Sequence, residues 1–407
     1  MPKLHPASLA IGALIAAAAP SYLIAGCSSD STTPASDAGT TPPPMESGAS
    51  PPVEAGSPED AGPPADTGIG YDANEIPDGA SGDDDDGPDS ASPPLLYTNP
   101  VLAKDFPDPF VLRQGSTYYA FGTNAAGSNI QAASSTDLAH WTSLPDALPN
   151  LPAWAAKNAG LTWAPSVLAL GPSTFVLFYT ARDTAAGFQC ISRAVATSPA
   201  GPYEDSSTAP FECQVSGSES FCGSIDPSPF VDTNGAIYLV WKSDENASAC
   251  AKPPRLWSAP LNADASAMTG PPAALLMMDQ TWQQPIIEGP SMTAVNGRYF
   301  LLYSANNYES ASYAMGYATC LSPTGPCENV SVSGPFVSSA GAALGPGGGE
   351  FFADTQGSLW LAYHAWTAPT TTYAGGGARS LRIDRLEVSG GVLSLDGPTT
   401  MAEPVLP

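Results

Sequence analysis

The chain is poor in positive charge. Its 407 residues hold 13 Lys and Arg against 39 Asp and Glu, and only three His. With no basic stripe to neutralise phosphates, nucleic acid is an improbable partner. So few His, with cysteine spacings that match no zinc pattern, argue against a Cys/His metal centre. The apolar run from Leu9 to Ala19 is too short to span a bilayer. No convincing amphipathic helix stands out either; the nearest, Ala153 to Ala159, is short.

What is present divides the chain in three. Residues 1–26 read as a secretory signal, with Lys3 before the apolar run and small residues after it. Leu23-Ile24-Ala25-Gly26-Cys27 resembles a bacterial lipobox, in which the cysteine receives lipid and becomes the mature N-terminus. Such an anchor ties a soluble domain to a membrane without crossing it. Residues 27–94 are Pro, Ser, Thr, Gly, Ala and Asp with almost no large apolar side chains. A segment of this kind cannot bury enough surface to offset its ordering entropy, so it is expected to be a disordered, extended tether. The tether holds 15 of the 39 acidic residues and the signal 1 of the 13 basic ones, so residues 95–407 retain 24 and 12. The Asp83-Asp84-Asp85-Asp86 run lacks the spacing and glycine of a calcium loop.

Beyond Cys27 there are six cysteines: Cys190, Cys213, Cys222, Cys250, Cys320 and Cys327. An even number in an exported domain points to up to three disulfides. The short-range pairs Cys213–Cys222 and Cys320–Cys327, leaving Cys190 with Cys250, are one of fifteen possible connectivities.

Residues 95–407 carry a fivefold repeat: a polar or small lead residue, apolar residues, a Gly-containing turn, then an aromatic-rich strand. The lead positions are Asp108, Ala164, Asp226, Glu288 and Gly348, spaced by 56, 62, 62 and 60 residues. The strands they lead to include Phe175-Val176-Leu177-Phe178-Tyr179 and Tyr299-Phe300-Leu301-Leu302-Tyr303. Repeats of this length with several strands each predict an all-β, five-bladed β-propeller. The innermost strand of each blade lines the channel, so the lead residues would converge on one axis. Three of the five are acids. Asp before Pro is common turn chemistry, which accounts for one or two of them but not readily for three at one repeat position.

These segments resemble glycoside hydrolase family 43, the arabinanase, α-L-arabinofuranosidase and β-xylosidase group. The matching stretches are Phe106-Pro107-Asp108-Pro109, Thr162-Trp163-Ala164-Pro165, Ser224-Ile225-Asp226-Pro227, Ile287-Glu288-Gly289-Pro290 and Tyr363-His364-Ala365-Trp366. The likeness runs in order from about Tyr97 to Glu387. There are two departures. Ser166 stands where the family often has an acid, and Gly345-Pro346-Gly347-Gly348 stands where many members read Gly-Pro-Gly-His.

By resemblance, Asp108 is the general base, Glu288 the general acid and Asp226 the residue that orients Glu288 and raises its pKa. Trp163, Trp282, His364 and Arg379 are candidate substrate contacts. Acids on different blades suit an inverting hydrolase, whose carboxyl groups stand roughly 6.5–9.5 Å apart to admit a water. No cofactor is required, although in relatives the matching His can help hold calcium. The implied protein is an exported, membrane-tethered, monomeric enzyme, periplasmic or on the cell surface, acting on a poly- or oligosaccharide. An exo-acting α-L-arabinofuranosidase leads, with β-xylosidase and endo-arabinanase beside it. A non-catalytic glycan-binding lipoprotein is the alternative of another class.

Overall fold

A computed structural model describes residues 94–157, 160–215, 221–247 and 250–405. The signal segment, Cys27 and residues 28–93 of the tether lie outside the described residues. The rest forms the expected five-bladed propeller. Blade I is Phe110–Gln114, Thr117–Gly122, Gln131–Ser135 and Thr142–Leu144. Blade II has three strands, Trp163–Gly171, Thr174–Arg182 and Gln189–Ala196. Blade III is Ser224–Val231, Ile237–Ser243, Arg255–Leu261 and Ala273–Met277. Blade IV is Ile287–Val295, Arg298–Ala305, Ala314–Cys320 and Cys327–Asn329, and blade V Ala343–Ala353, Leu359–Thr367, Arg379–Ser389 and Val392–Leu395. Each is an antiparallel meander.

The second strand of each blade is apolar at almost every position because both of its faces are covered. Side chains alternate across a strand. In blade II, Phe175, Leu177 and Tyr179 pack against blade I through Phe121, while Val176 and Phe178 pack against Leu239 and Trp241 of blade III. In blade IV, Leu301 and Tyr303 meet Val240 of blade III, while Phe300 and Leu302 meet Leu361 and Tyr363 of blade V. One apolar seam therefore joins each pair of neighbours, and the aromatic-rich strand of the repeat supplies it.

The ring is closed by the two ends of the propeller. Leu96–Thr98 pairs antiparallel with Ala402–Pro404. Next to it, the buried Asn99 side chain stands in for a strand: its Nδ2 donates to Ile383 O at 2.7 Å, and Ile383 N donates to its Oδ1 at 3.0 Å. The same Nδ2 reaches Asp384 and Thr399.

The cysteines pair differently from the short-range scheme. Cys190 joins Cys213, Cys222 joins Cys250, and Cys320 joins Cys327. Sequence proximity is overridden by strand pairing. The Ile191–Glu212 bridge sets Cys213 beside Cys190, with Cα atoms 4.8 Å apart. Asp244 N donates to Gly223 O, which carries Cys222 toward the Cys250 turn. Only Cys320–Cys327 matches the local pairing.

Removing the Asn99 side chain would strand the buried Ile383 N–H and C=O, each costing about 1–3 kcal/mol. Asn99→Ala is expected to lower the unfolding free energy by about 2–4 kcal/mol, read from urea midpoints at unchanged slope. A shift under about 0.5 kcal/mol would remove Asn99 from the closure.

Candidate active site

The backbone refines the repeat. One residue per blade adopts a left-handed conformation on entering the innermost strand: Asp108 (φ 51°), Ala164 (43°), Asp226 (55°), Gly289 (55°) and Gly348 (59°). Four of the five precede proline. A non-glycine residue at such φ persists only where its surroundings over-determine it. In blades II to V the residue sits in a bulge that shifts the pairing with the second strand. Spacing alone puts Glu288 in this slot; the backbone puts Gly289 there. Glu288 lies one residue earlier, in register with Trp163, Ile225 and Gly347, because its partner Ser304 matches Thr180, Lys242 and His364.

Each bulge leaves an N–H without a strand partner, and a neighbouring blade takes it. Ala164 N donates to Thr123 Oγ1 (2.9 Å), Asp226 N to Thr180 Oγ1 (3.2 Å) and Gly348 N to Ser304 Oγ (2.9 Å). Asp108 N donates to His364 Nδ1 (3.0 Å), closing the circle from blade V to blade I. The exception is between blades III and IV. Lys242 occupies the matching position, and an ammonium cannot accept. Gly289 N therefore donates to Asp226 Oδ2 (2.9 Å), and Lys242 Nζ turns to Glu288 Oε2 (2.9 Å) and Asp244 Oδ1 (3.5 Å).

The three acids thus meet in one cavity of about 800 Å³, lined from all five blades. Thr123 Oγ1 donates to Asp108 Oδ2 (2.6 Å), and Arg379 Nη1 stands 3.5 Å from Asp108 Oδ1. The buried Tyr313 hydroxyl donates to Glu288 Oε1 (2.8 Å), and its ring stacks on His364 at 6.0 Å. The glycine loop makes this possible. A Cβ on Gly347 would fall 2.0 Å from the Tyr313 ring, and one on Gly348 would fall 2.7 Å from His364 Nδ1.

Burial pushes Asp226 up to about 7, the Glu288 and Asp108 charges adding to it and Lys242 opposing it. Burial also works against the Lys242 charge, but Glu288, Asp244 and Asp226 outweigh it, so the amine holds its proton more tightly than usual. Tyr313 is raised well above the usual phenol range by burial, then by Glu288 and Asp108.

Of the sequence-predicted contacts, Trp163 and Arg379 line the cavity with the three acids. Arg379 lies between the exposed rings of Tyr308 and Tyr373, 4.7 and 5.6 Å from their centroids, with Nε donating to Tyr373. Trp282 is not brought to the cavity: its ring stacks on Tyr303 and its indole N–H donates to Ser331 O. His364 is fully buried beneath Asp108 rather than on the cavity wall. Burial, then Arg379, depresses its pKa well below the usual range. The imidazole is neutral, accepts at Nδ1 and carries its proton on Nε2, so the 3.4 Å approach to Asp108 Oδ1 is not an ion pair. Its Nε2 is buried without a hydrogen-bond partner, and no cluster of three or more His, Cys, Asp or Glu able to hold a metal occurs among the described residues.

Lys242, Tyr313 and Glu350 were not among the candidates. Lys242 stands out in retrospect as the one ammonium among Thr, Thr, Ser and His at its repeat position. Tyr313 follows an irregular loop and carries no signal. Ser166, where the family often has an acid, donates instead to an acid across the axis, Glu350 (3.4 Å).

The family profile for glycosyl hydrolases family 43 matches residues 97–393. The chain belongs to that family. It is 28% identical over 243 residues to beta-D-galactofuranosidase xynD of Aspergillus niger, covering 56% of this chain and 64% of that protein. It is 34% identical over 150 residues to alpha-L-arabinofuranosidase 43 of Humicola insolens, covering 35% of this chain and 30% of that protein. The chain thus spans less than two thirds of either curated relative. The crystal structure of a thermostable family-43 glycoside hydrolase superposes with a TM-score of 0.67 at 29% identity, covering 76% of this chain and 98% of that one.

The raised Asp226 has a stability consequence. Its proton is held to about pH 7 in the folded protein against 3.8 unfolded, so its favourable contribution is complete below about 4 and lost as pH rises through 7. Asp226→Asn is expected to flatten the stability profile between pH 4 and 7 and to exceed the parent at pH 8. Parallel urea-midpoint profiles would refute the shift.

Proposed function

We propose that this family 43 member is an inverting glycoside hydrolase acting on arabinose- or xylose-containing plant polysaccharides. The observation that carries the proposal is the convergence of Asp108, Asp226 and Glu288 from blades I, III and IV into one cavity with a buried cation, Lys242. A pure glycan binder has no need for three acids gathered around a buried lysine, an arginine, a backbone N–H and the hydroxyls of a threonine and a tyrosine.

In this reading Asp108 takes a proton from water as the water oxygen bonds to the anomeric carbon. Glu288 gives its proton to the glycosidic oxygen as the old C–O bond breaks. Thr123 and Arg379 hold the Asp108 carboxylate; Lys242 and Tyr313 fix both Glu288 oxygens. Asp226, bound to Gly289 N, steadies the turn that carries Glu288. Asp108 leads blade I and Glu288 lies on blade IV, and acids carried by different blades suit the wide carboxyl separation of an inverting enzyme. The cavity is walled by all five blades, as suits the end of a chain, so exo-acting α-L-arabinofuranosidase is the leading specificity, ahead of β-xylosidase and endo-arabinanase. Trp163 and the Tyr308–Arg379–Tyr373 stack offer sugar-facing surfaces. We further propose that Cys27 carries lipid and that the tether holds the propeller at a membrane.

The test is hydrolysis of 4-nitrophenyl α-L-arabinofuranoside, 4-nitrophenyl β-D-xyloside, arabinan and xylan by the full chain. Asp108→Ala and Glu288→Ala should each lower kcat/KM on polymer by about 10²–10⁴-fold. No activity above these variants on any substrate would sink the enzyme. The anomer first released, followed by NMR, should be inverted; retention would remove Asp108 from the role of base. Separately, Cys27→Ala should release the protein from membranes, and unchanged partitioning would reject lipidation.

A further inference from the structure

One position beyond each Xaa-Pro bulge, the innermost strands place a second ring of side chains: Phe110, Ser166, Ser228, Ser291 and Glu350. Three blades give a serine. Blade V alone gives an acid, where Gly348-Gly349 replaces the Xaa-Pro of the other blades. Glu350 reaches across the axis, its Oε2 accepting from Ser228 Oγ at 3.0 Å and its Oε1 from Ser166 Oγ at 3.4 Å. Half-buried, it lines the cavity that holds Asp108, Asp226 and Glu288. Among the described residues no cation is paired with it: Lys242 is engaged by Glu288 and Asp244, and Arg379 by Asp108 and Tyr373.

We infer that Glu350 is a specificity-determining residue, a carboxylic acid that lines the cavity and donates a hydrogen bond to the innermost hydroxyl of the bound sugar. Three serine hydroxyls, those of Ser166, Ser228 and Ser291, hold its two oxygens from the protein side, and the open direction is the cavity. Burial raises Glu350 to about 8 against the opposing serine bonds, with the Asp226 charge adding to it, so the donor persists through neutral pH. Ionisation above that would replace the donor with an acceptor-only carboxylate. The groups around it are Asp108 from blade I, Arg182 from blade II, Asp226 and Lys242 from blade III, Glu288 and Tyr313 from blade IV, and the neutral His364 beside it on blade V.

This inference rests on the cavity binding a pentoside, so binding is measured apart from turnover. Arabinotriose and xylotriose are titrated by calorimetry into the full chain carrying Glu288→Gln, which should bind without cleaving, and into the same chain with Glu350→Gln or Glu350→Ala. At pH 6.5, Glu350→Ala should weaken binding of the preferred saccharide about tenfold, and Glu350→Gln, isosteric and still a donor, by less than about twofold. Between pH 7.5 and 9 the chain with Glu350 should lose about tenfold in affinity and Glu350→Gln markedly less. Asp226, Lys242 and the other neighbours are common to both chains, so the difference between the profiles belongs to Glu350. Equal affinity for Glu350→Ala, coincident pH profiles, or no binding of either saccharide by the chain with Glu350 would overturn the inference. A chain that binds but never hydrolyses overturns the proposed function and leaves this one standing.

Discussion

Five left-handed residues around one axis each expose a backbone N–H that no strand can take. The propeller answers with side chains from neighbouring blades, and that requirement organises the rest of the centre. A buried, unpaired N–H costs on the order of 1–3 kcal/mol, so five of them would consume a large part of a domain's stability. Thr123, Thr180, Ser304 and His364 each serve the next blade. The blades are thereby stitched around the axis by polar contacts, as they are between their sheets by the apolar seams.

The interruption of this ring is where the charge sits. At the one junction where the accepting position is a lysine, the carboxylate of Asp226 takes over the N–H. The lysine is freed to hold Glu288. Structural satisfaction and electrostatics are therefore the same event: Asp226 cannot be removed without unpairing Gly289 N, nor Lys242 without leaving buried carboxylates uncompensated. Burial, and then the charges of Glu288 and Asp108, raise the proton affinity of Asp226 and lower stability at higher pH, a trade expected where a site is built for chemistry rather than for folding.

Much of this was legible in the chain. The unbroken apolar runs Phe175–Tyr179 and Phe300–Tyr303 announce strands covered on both faces, and five such strands at near-constant spacing leave little but a propeller. The acids Asp108 and Asp226 were legible through the repeat. Glu288 was found by the same repeat, although its backbone slot belongs to Gly289. A bulge adds a residue to one strand without changing its pattern, so spacing cannot place it to better than one position. Trp282 was misplaced as a sugar contact because composition does not tell a packing indole from an exposed one. The cysteine pairing followed bridges between segments 21 residues apart, which sequence distance hides.

By itself the sequence determined the number of blades, the apolar faces, the family and the acids near the axis, because these are periodic or local properties. Tertiary structure alone decided which side chains those acids touch. Lys242 reaches Glu288 from another blade, Tyr313 drops into the space left by Gly347, and Glu350 crosses the axis to Ser166 and Ser228. These contacts join segments 25 to 184 residues apart. No local pattern encodes how such segments meet.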